Sequence, residues 1–229
     1  MAEAGRAVRP RLLAGTAAMV ASAVPVTVLA LLVRRAADPV PRFDQWVDVQ
    51  LTRFTLAHAL VRRAAEVGAY ALHPWVFRAL VLVAVVVLVR RRARAAALWA
   101  GATVVAGGLL GAGLKLAVHR ARPVLDDPVT VASGYSFPSG HALNSALCVS
   151  VLLVLLWRPL GRRGYRVLAA GVGALLVLAT AMDRLLLGVH FPSDVIAGDL
   201  VGVLAVASSW VAFGPVLRER VRREAGRAT

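Results

Sequence analysis

The sequence predicts an all-α membrane protein, a bundle of six transmembrane helices with an amphipathic interfacial helix in its first outward loop. Three observations lead there. Hydrophobic residues make up 59% and charged residues 17% of the 229-residue chain, and the mean hydropathy is +0.71, a balance unsuited to a water-facing surface. Apolar stretches approaching the roughly 20 residues needed to cross a hydrocarbon core recur along the chain. Short charged segments separate them, and Arg clusters in alternate segments. A single domain, residues 1–229, is expected.

The first span, Leu12 to Val33, is uncharged for 22 residues and follows Arg6, Arg9 and Arg11. It resembles a signal peptide with a cleavage point after Ala21-Ser22-Ala23, but the apolar run continues beyond that point and favours an uncleaved anchor. A second span lies within Ala69 to Val89, interrupted by Pro74 and Arg78. Ala95 to Leu114 is a clean third. Ala142 to Trp157 and Val167 to Met182 are short unless their polar flanks are also helical, and Val195 to Leu217 is the sixth.

Between the first two spans, Phe43, Val47, Leu51, Phe54 and Val61 recur at helical spacing beside Asp44, Asp48 and Arg53. This pattern fits a helix lying on the membrane, and equally one packed over the bundle.

The formal charge of +15 does not point to nucleic acid, because the basic residues sit between apolar spans and not along one face. With both termini and the second and fourth loops on one side, that side holds 16 basic residues against Glu3, Glu219 and Glu224. The other side and the spans keep 11 basic and 9 acidic residues. The positive-inside rule therefore places both termini in the cytoplasm and loops one, three and five outside a cell membrane. The Arg-rich tail after Arg218 reads as a solvated end near anionic lipid headgroups. The single cysteine, Cys148, lies in an apolar run, so neither an internal disulfide nor a Cys-based metal site is available.

Polar residues near a bilayer are costly, so their placement is informative. Three groups stand out, and all fall in or beside the outward loops. Lys115 precedes Arg122-Pro123 at the end of the third span; Pro138-Ser139-Gly140-His141 opens the fourth; and Arg184, His190 and Asp194 lie between the fifth and sixth. Three cations, Lys115, Arg122 and Arg184, suit a multiply charged anion, and the planar Arg fork matches phosphate oxygens. Ser139 and Gly140 begin a helix whose free N–H groups and dipole favour an anion.

A carboxylate four residues after His190 can hold Nδ1 and leave Nε2 free as a nucleophile. His141 is then the candidate acid. Singly these residues have plain structural readings: a snorkelling anchor, an ordinary helix start, a structural hydrogen bond. His58, His73 and His119 read as interfacial or structural. Asp199, inside the last span, has no evident role.

Lys-x6-Arg-Pro, Pro-Ser-Gly-His and Arg-x5-His-x3-Asp, in that order over residues 115–194, resemble the three-part signature of the type 2 phosphatidic acid phosphatase superfamily. The six-span pattern resembles its membrane-bound lipid phosphatase branch. The resemblance implies phosphate binding by Lys115, Arg122, Ser139, Gly140 and Arg184, a nucleophile at His190 oriented by Asp194, and a general acid at His141. It implies no metal and no cofactor, membrane lipids as surroundings, and a lipid phosphate or diphosphate as substrate, of the undecaprenyl diphosphate, phosphatidylglycerol phosphate or phosphatidic acid type. One departure is Asp183, where the family commonly has Ser before the motif Arg. The rival reading is a small transporter or lipid translocase in which the buried charges line a pathway.

Overall fold

The computed structural model describes residues 23–34, 39–124 and 129–225, isolated helical positions at 17 and 20, and side chains as far as Gly214. Eight helices account for most of it. They are α1 (Ala23–Arg34), α2 (Pro39–Ala57), α3 (Ala59–Ala71), α4 (Pro74–Arg90), α5 (Arg94–Val118), α6 (Gly140–Leu156), α7 (Arg163–Leu186) and α8 (Pro192–Ala225).

Four stretches are long and apolar enough to cross a membrane: Ala59–Arg90, Arg94–Val118, Arg163–Leu186 and Pro192–Gly214. Ala23–Arg34 and Gly140–Leu156 are apolar but shorter. Of the expected first span, Leu12 to Val33, residues 17, 20 and 23–33 are described and helical, and the others lie outside the described residues. The flanks of the fifth span are helical, so α7 reaches 24 residues, whereas α6 stays at 17.

The expected second span is divided. Pro74 does not kink a continuous helix; it stands at the start of α4, where a missing N–H costs nothing, and His73 Nδ1 accepts from Trp75 N–H at 3.3 Å. Arg78, the charge inside that span, turns toward α6 and donates from Nε to Asn144 Oδ1 at 2.8 Å.

Helix α6 is the centre of the bundle. It packs on α4, α5, α7 and α8, and its residues from Ala142 to Val149 are all buried. That burial explains why it is apolar on every face. Its neighbours approach through glycine. A Cβ on Gly198 would lie 2.6 Å from Ser139 O, and one on Gly202 would lie 2.7 Å from Leu143 O and 2.8 Å from Leu147 N. Gly107 and Gly111 of α5 face the side chains of Leu147 and Leu143, and Gly173 of α7 faces that of Val149. Such small-residue contacts hold helices together where lipid removes the hydrophobic incentive.

The obstruction at Gly202 is backbone, which cannot swing aside. Gly202→Val is therefore expected to separate α6 from α8 at a cost of roughly 1–3 kcal/mol, read as a lower melting temperature in detergent. Gly101→Ala, where a Cβ meets nothing within 4 Å, is the contrast and should melt no lower than the parent.

Helix α2 turns its polar stripe inward. Asp44, Asp48, Thr52 and Thr55 are buried, while Phe43, Trp46 and Phe54 are exposed, and the helix packs against α3, α7 and α8. It covers the bundle, with the apolar residues directed away from it.

From α4 to α8 the helices run alternately up and down. The C-terminal ends of α5 and α7 and the N-terminal ends of α6 and α8 thus meet at one end of the bundle, and the Arg clusters at 90–94 and 158–166 lie at the other.

Candidate active site

Helix α5 ends at His119, in the left-handed conformation at φ 53°. The chain then turns back, so that Lys115, Arg120 and Arg122 serve one site from different directions. Lys115 Nζ donates to Tyr135 O at 2.6 Å. Arg122 Nε donates to Gly134 O at 3.0 Å, and its NH1 reaches Val189 O at 2.7 Å and His190 Nε2 at 3.1 Å.

Ser139 precedes α6 with an extended backbone and no capping hydrogen bond from its side chain. The first-turn N–H groups of a helix have no partner within it, so the start of α6 presents donors beside Ser139. Ser139 N–H is tied to Asp194 O at 2.9 Å, joining the beginnings of α6 and α8. Its Oγ is buried and makes no hydrogen bond among the described residues.

His141, one residue into α6, receives Arg184 NH1 at Nε2 over 3.2 Å and stacks edge-on against His73, with ring centres 5.3 Å apart. His73, read from sequence as interfacial or structural, therefore borders the site. Asp183 engages the other edge of Arg184, accepting from Nε at 2.9 Å and also from NH2. Gly68 of α3 makes room for this carboxylate, since a Cβ there would stand 2.4 Å from Asp183 Oδ1. The Asp at the unusual position is thus an ion-pair partner of Arg184.

His190 is 3% exposed. Its Nε2 faces Arg122, and its Nδ1 lies 3.6 Å from Asp194 Oδ2, an electrostatic contact longer than a hydrogen bond. Burial, aided by the Arg122 and Lys115 charges and opposed by Asp194, lowers the His190 pKa to about 4. The imidazole is neutral at neutral pH, with a lone pair on Nε2. Burial also lowers the Arg122 pKa.

The eight residues singled out in the sequence, Lys115, Arg122, Ser139, Gly140, His141, Arg184, His190 and Asp194, all come from this end of the bundle. Two others were missed. Arg120 donates to Asp194 Oδ1 at 2.6 Å and to Asp44 Oδ2 at 2.7 Å, and Asp44 is fully buried. The stripe Asp44, Asp48, Thr52 and Thr55 is visible in the sequence, but not which face of α2 the bundle covers.

Apolar helices packed about a cationic, histidine-bearing site at one end define a multi-pass membrane protein. The PAP2 superfamily model matches residues 96–217, just over half of the 229 residues, and the chain belongs to that superfamily. Among relatives, phosphatidylglycerophosphatase B of Bacillus subtilis is 37% identical over 100 residues, 42% of this chain and 47% of that one. Phosphatidylglycerophosphatase B of Escherichia coli K12 is 37% identical over 83 residues, 35% of this chain and 30% of that one. The alignments thus span less than half the length of each relative.

Similar solved structures include a transmembrane PAP2 type phosphatidylglycerolphosphate phosphatase from Bacillus subtilis, with a TM-score of 0.73 at 21% identity over 83% of this chain and 92% of that one. Aquifex aeolicus LpxE gives a TM-score of 0.53 at 22% identity over 70% and 93%. At these identities the likeness is one of fold.

Proposed function

We propose that the protein is a lipid phosphate or diphosphate phosphatase that works through a phosphohistidine at His190, in a six-span bundle with the site on the extracytoplasmic side. The observation that carries this reading is a pair of histidines, His141 and His190, each with Nε2 against an arginine, and one backed by a carboxylate. Sidedness follows from the Arg clusters at the opposite end. Exposed Phe43, Trp46 and Phe54 support an interfacial position for α2. The names of the relatives make phosphatidylglycerol phosphate the first substrate to try, beside phosphatidic acid and undecaprenyl diphosphate.

The phosphoryl group binds where Lys115, Arg122, Arg184, Ser139 and the first N–H groups of α6 converge. Its oxygens draw Arg122 away from His190 Nε2 and Arg184 away from His141 Nε2. The first release uncovers the nucleophile. The second frees His141 to carry a proton.

His190 Nε2 then forms a bond to phosphorus as the bond to the leaving oxygen breaks, and His141 protonates that oxygen. Asp194 stabilises the positive charge that develops on His190. In the second step His141 takes a proton from water, the resulting hydroxide attacks phosphorus, and phosphate leaves His190.

Three protein cations supply the charge stabilisation that Mg²⁺ provides in other phosphoryl transfers. Detergent-solubilised protein should therefore release phosphate from phosphatidylglycerol phosphate at the same rate with excess EDTA as without it. Vanadate, able to adopt five-coordinate geometry, should inhibit. Loss of turnover in EDTA that Mg²⁺ restores would overturn the reading.

A further inference from the structure

Asp44 of α2 is fully buried, yet it lies 76 residues from its partner Arg120 in the sequence. The two form a closed arrangement behind the nucleophile. Arg120 NH2 donates to Asp44 Oδ2 at 2.7 Å, while NH1 donates to Asp194 Oδ1 at 2.6 Å and to Ser193 Oγ at 2.7 Å. Ser193 N–H reaches Asp44 Oδ1 at 3.0 Å, and its hydroxyl also donates to Asp44. Phe191 lies under the guanidinium, 4.3 Å from its carbon to the ring centre. The other oxygen of Asp194 accepts from Phe191 N–H at 3.0 Å and faces His190.

Asp194 thus has one oxygen for Arg120 and one for His190, and it can rotate toward neither without breaking a bond. The guanidinium is itself fixed by α2, an element outside the motif-bearing segment. An uncompensated charge this deeply buried would be costly, whereas a bridged pair with its hydrogen bonds met is tolerated. The bridge orients the carboxylate that orients the imidazole.

We propose that Asp44 and Arg120 are positioning residues for the nucleophile, holding Asp194 in place and setting how strongly its charge acts on His190. The proposal rests on His190 as the nucleophile. Neither residue lies against the phosphoryl position, so both act on the chemical step and not on phosphate binding.

Other charges face the same pair. Lys115 comes from α5, Arg122 from the following loop, His141 from α6 with Arg184 of α7 and His73, just before α4, against it, and Asp48 from α2. Asp48 is buried one turn beyond Asp44, and its pKa is raised to about 6, first by burial and then by Asp44 and Asp194. None of these residues is substituted in the variants below.

The two ends of the bridge predict opposite signs. Arg120→Gln removes a cation beside Asp194 and leaves Asp44 unbalanced, so the imidazolium of His190 is favoured and its pKa rises, by about one unit for a charge at this range. Asp44→Asn leaves Arg120 unbalanced, so the imidazolium is disfavoured and the pKa falls. A merely structural role would act differently, because loosening the site admits water and moves the pKa up toward the ordinary histidine value in both variants.

The experiment follows His190 by NMR in the full-length, detergent-solubilised, histidine-labelled protein, assigned by the resonance missing from His190→Gln. It also measures the burst of phosphoenzyme and vanadate affinity. Expected are shifts of opposite sign and burst rates reduced on the order of 10- to 10²-fold, with vanadate affinity unchanged. Arg120→Lys keeps the charge but has no fork to bridge two carboxylates. It should hold the pKa near that of the parent and recover part of the burst, which serves if the other variants melt.

Upward shifts in both variants, or a parental burst in Asp44→Asn, would overturn the inference. A phosphoenzyme burst surviving in His190→Ala would instead overturn the nucleophile assignment, whatever Asp44→Asn does.

Discussion

His190→Ala is expected to abolish the phosphoenzyme and reduce turnover on every substrate by on the order of 10⁴- to 10⁶-fold, the range for loss of a nucleophile that works as one unit with its partners. The size follows from the geometry. Nε2 of His190 is the lone pair set beside Arg122, and the ring is 3% exposed, so its removal leaves a space and no substitute group. The imidazole is kept neutral chiefly by burial, its pKa lowered to about 4.

The sign of the pH effect follows. As the proposed nucleophile, His190 is available above its pKa and is lost as pH falls through that value, so its protonation should not limit the enzyme near neutrality. Rapid mixing with labelled substrate, quenched in base to preserve phosphohistidine, is the direct measurement. A labelled histidine in the variant would remove His190 from its role, while phosphate binding could remain intact.

His141→Ala should produce the second largest effect, and one that depends on the leaving group. A monophosphate must expel a lipid alkoxide, which needs a proton in the transition state, and general acid catalysis of that kind contributes on the order of 10²- to 10⁴-fold. A diphosphate expels a much less basic phosphate. The variant should therefore lose most of its burst rate on phosphatidic acid and far less on a prenyl diphosphate.

The burst is the proper readout. On the proposed mechanism His141 also serves the second step, and slow hydrolysis there would hide the contrast in steady state. Arg184 bears on the interpretation, because its NH1 stands 3.2 Å from His141 Nε2 and is bound on its other edge by Asp183. Equal losses on both substrates would mean that His141 chiefly holds Arg184 or phosphate, and another residue would have to be sought as the acid.

The sequence by itself determined the helical membrane class and grouped the motif residues at one end of the bundle. These are one-dimensional properties. Hydropathy over some twenty residues marks a span, and in an up-and-down bundle the parity of each loop decides which helix ends share a side. Lys115, Arg122, His141, Arg184, His190 and Asp194 could therefore be grouped before any contact was known. The spacing of His190 and Asp194 even brought carboxylate and imidazole together, because a separation of four residues returns to one face of a helix.

Tertiary structure decided the rest. The inward turn of Asp44 and Asp48 could not be read from α2, because an amphipathic pattern has two faces and only packing chooses which is covered. The bridge from Asp44 through Arg120 to Asp194 joins residues 76 and 74 positions apart, beyond the reach of any local pattern. Gly198 and Gly202 are ordinary helix residues until the backbone of α6 lies against them. Asp183 became an ion-pair partner of Arg184 only where Gly68 left it space. In each case the deciding quantity is a distance between segments remote in sequence, which the order of residues constrains but does not contain.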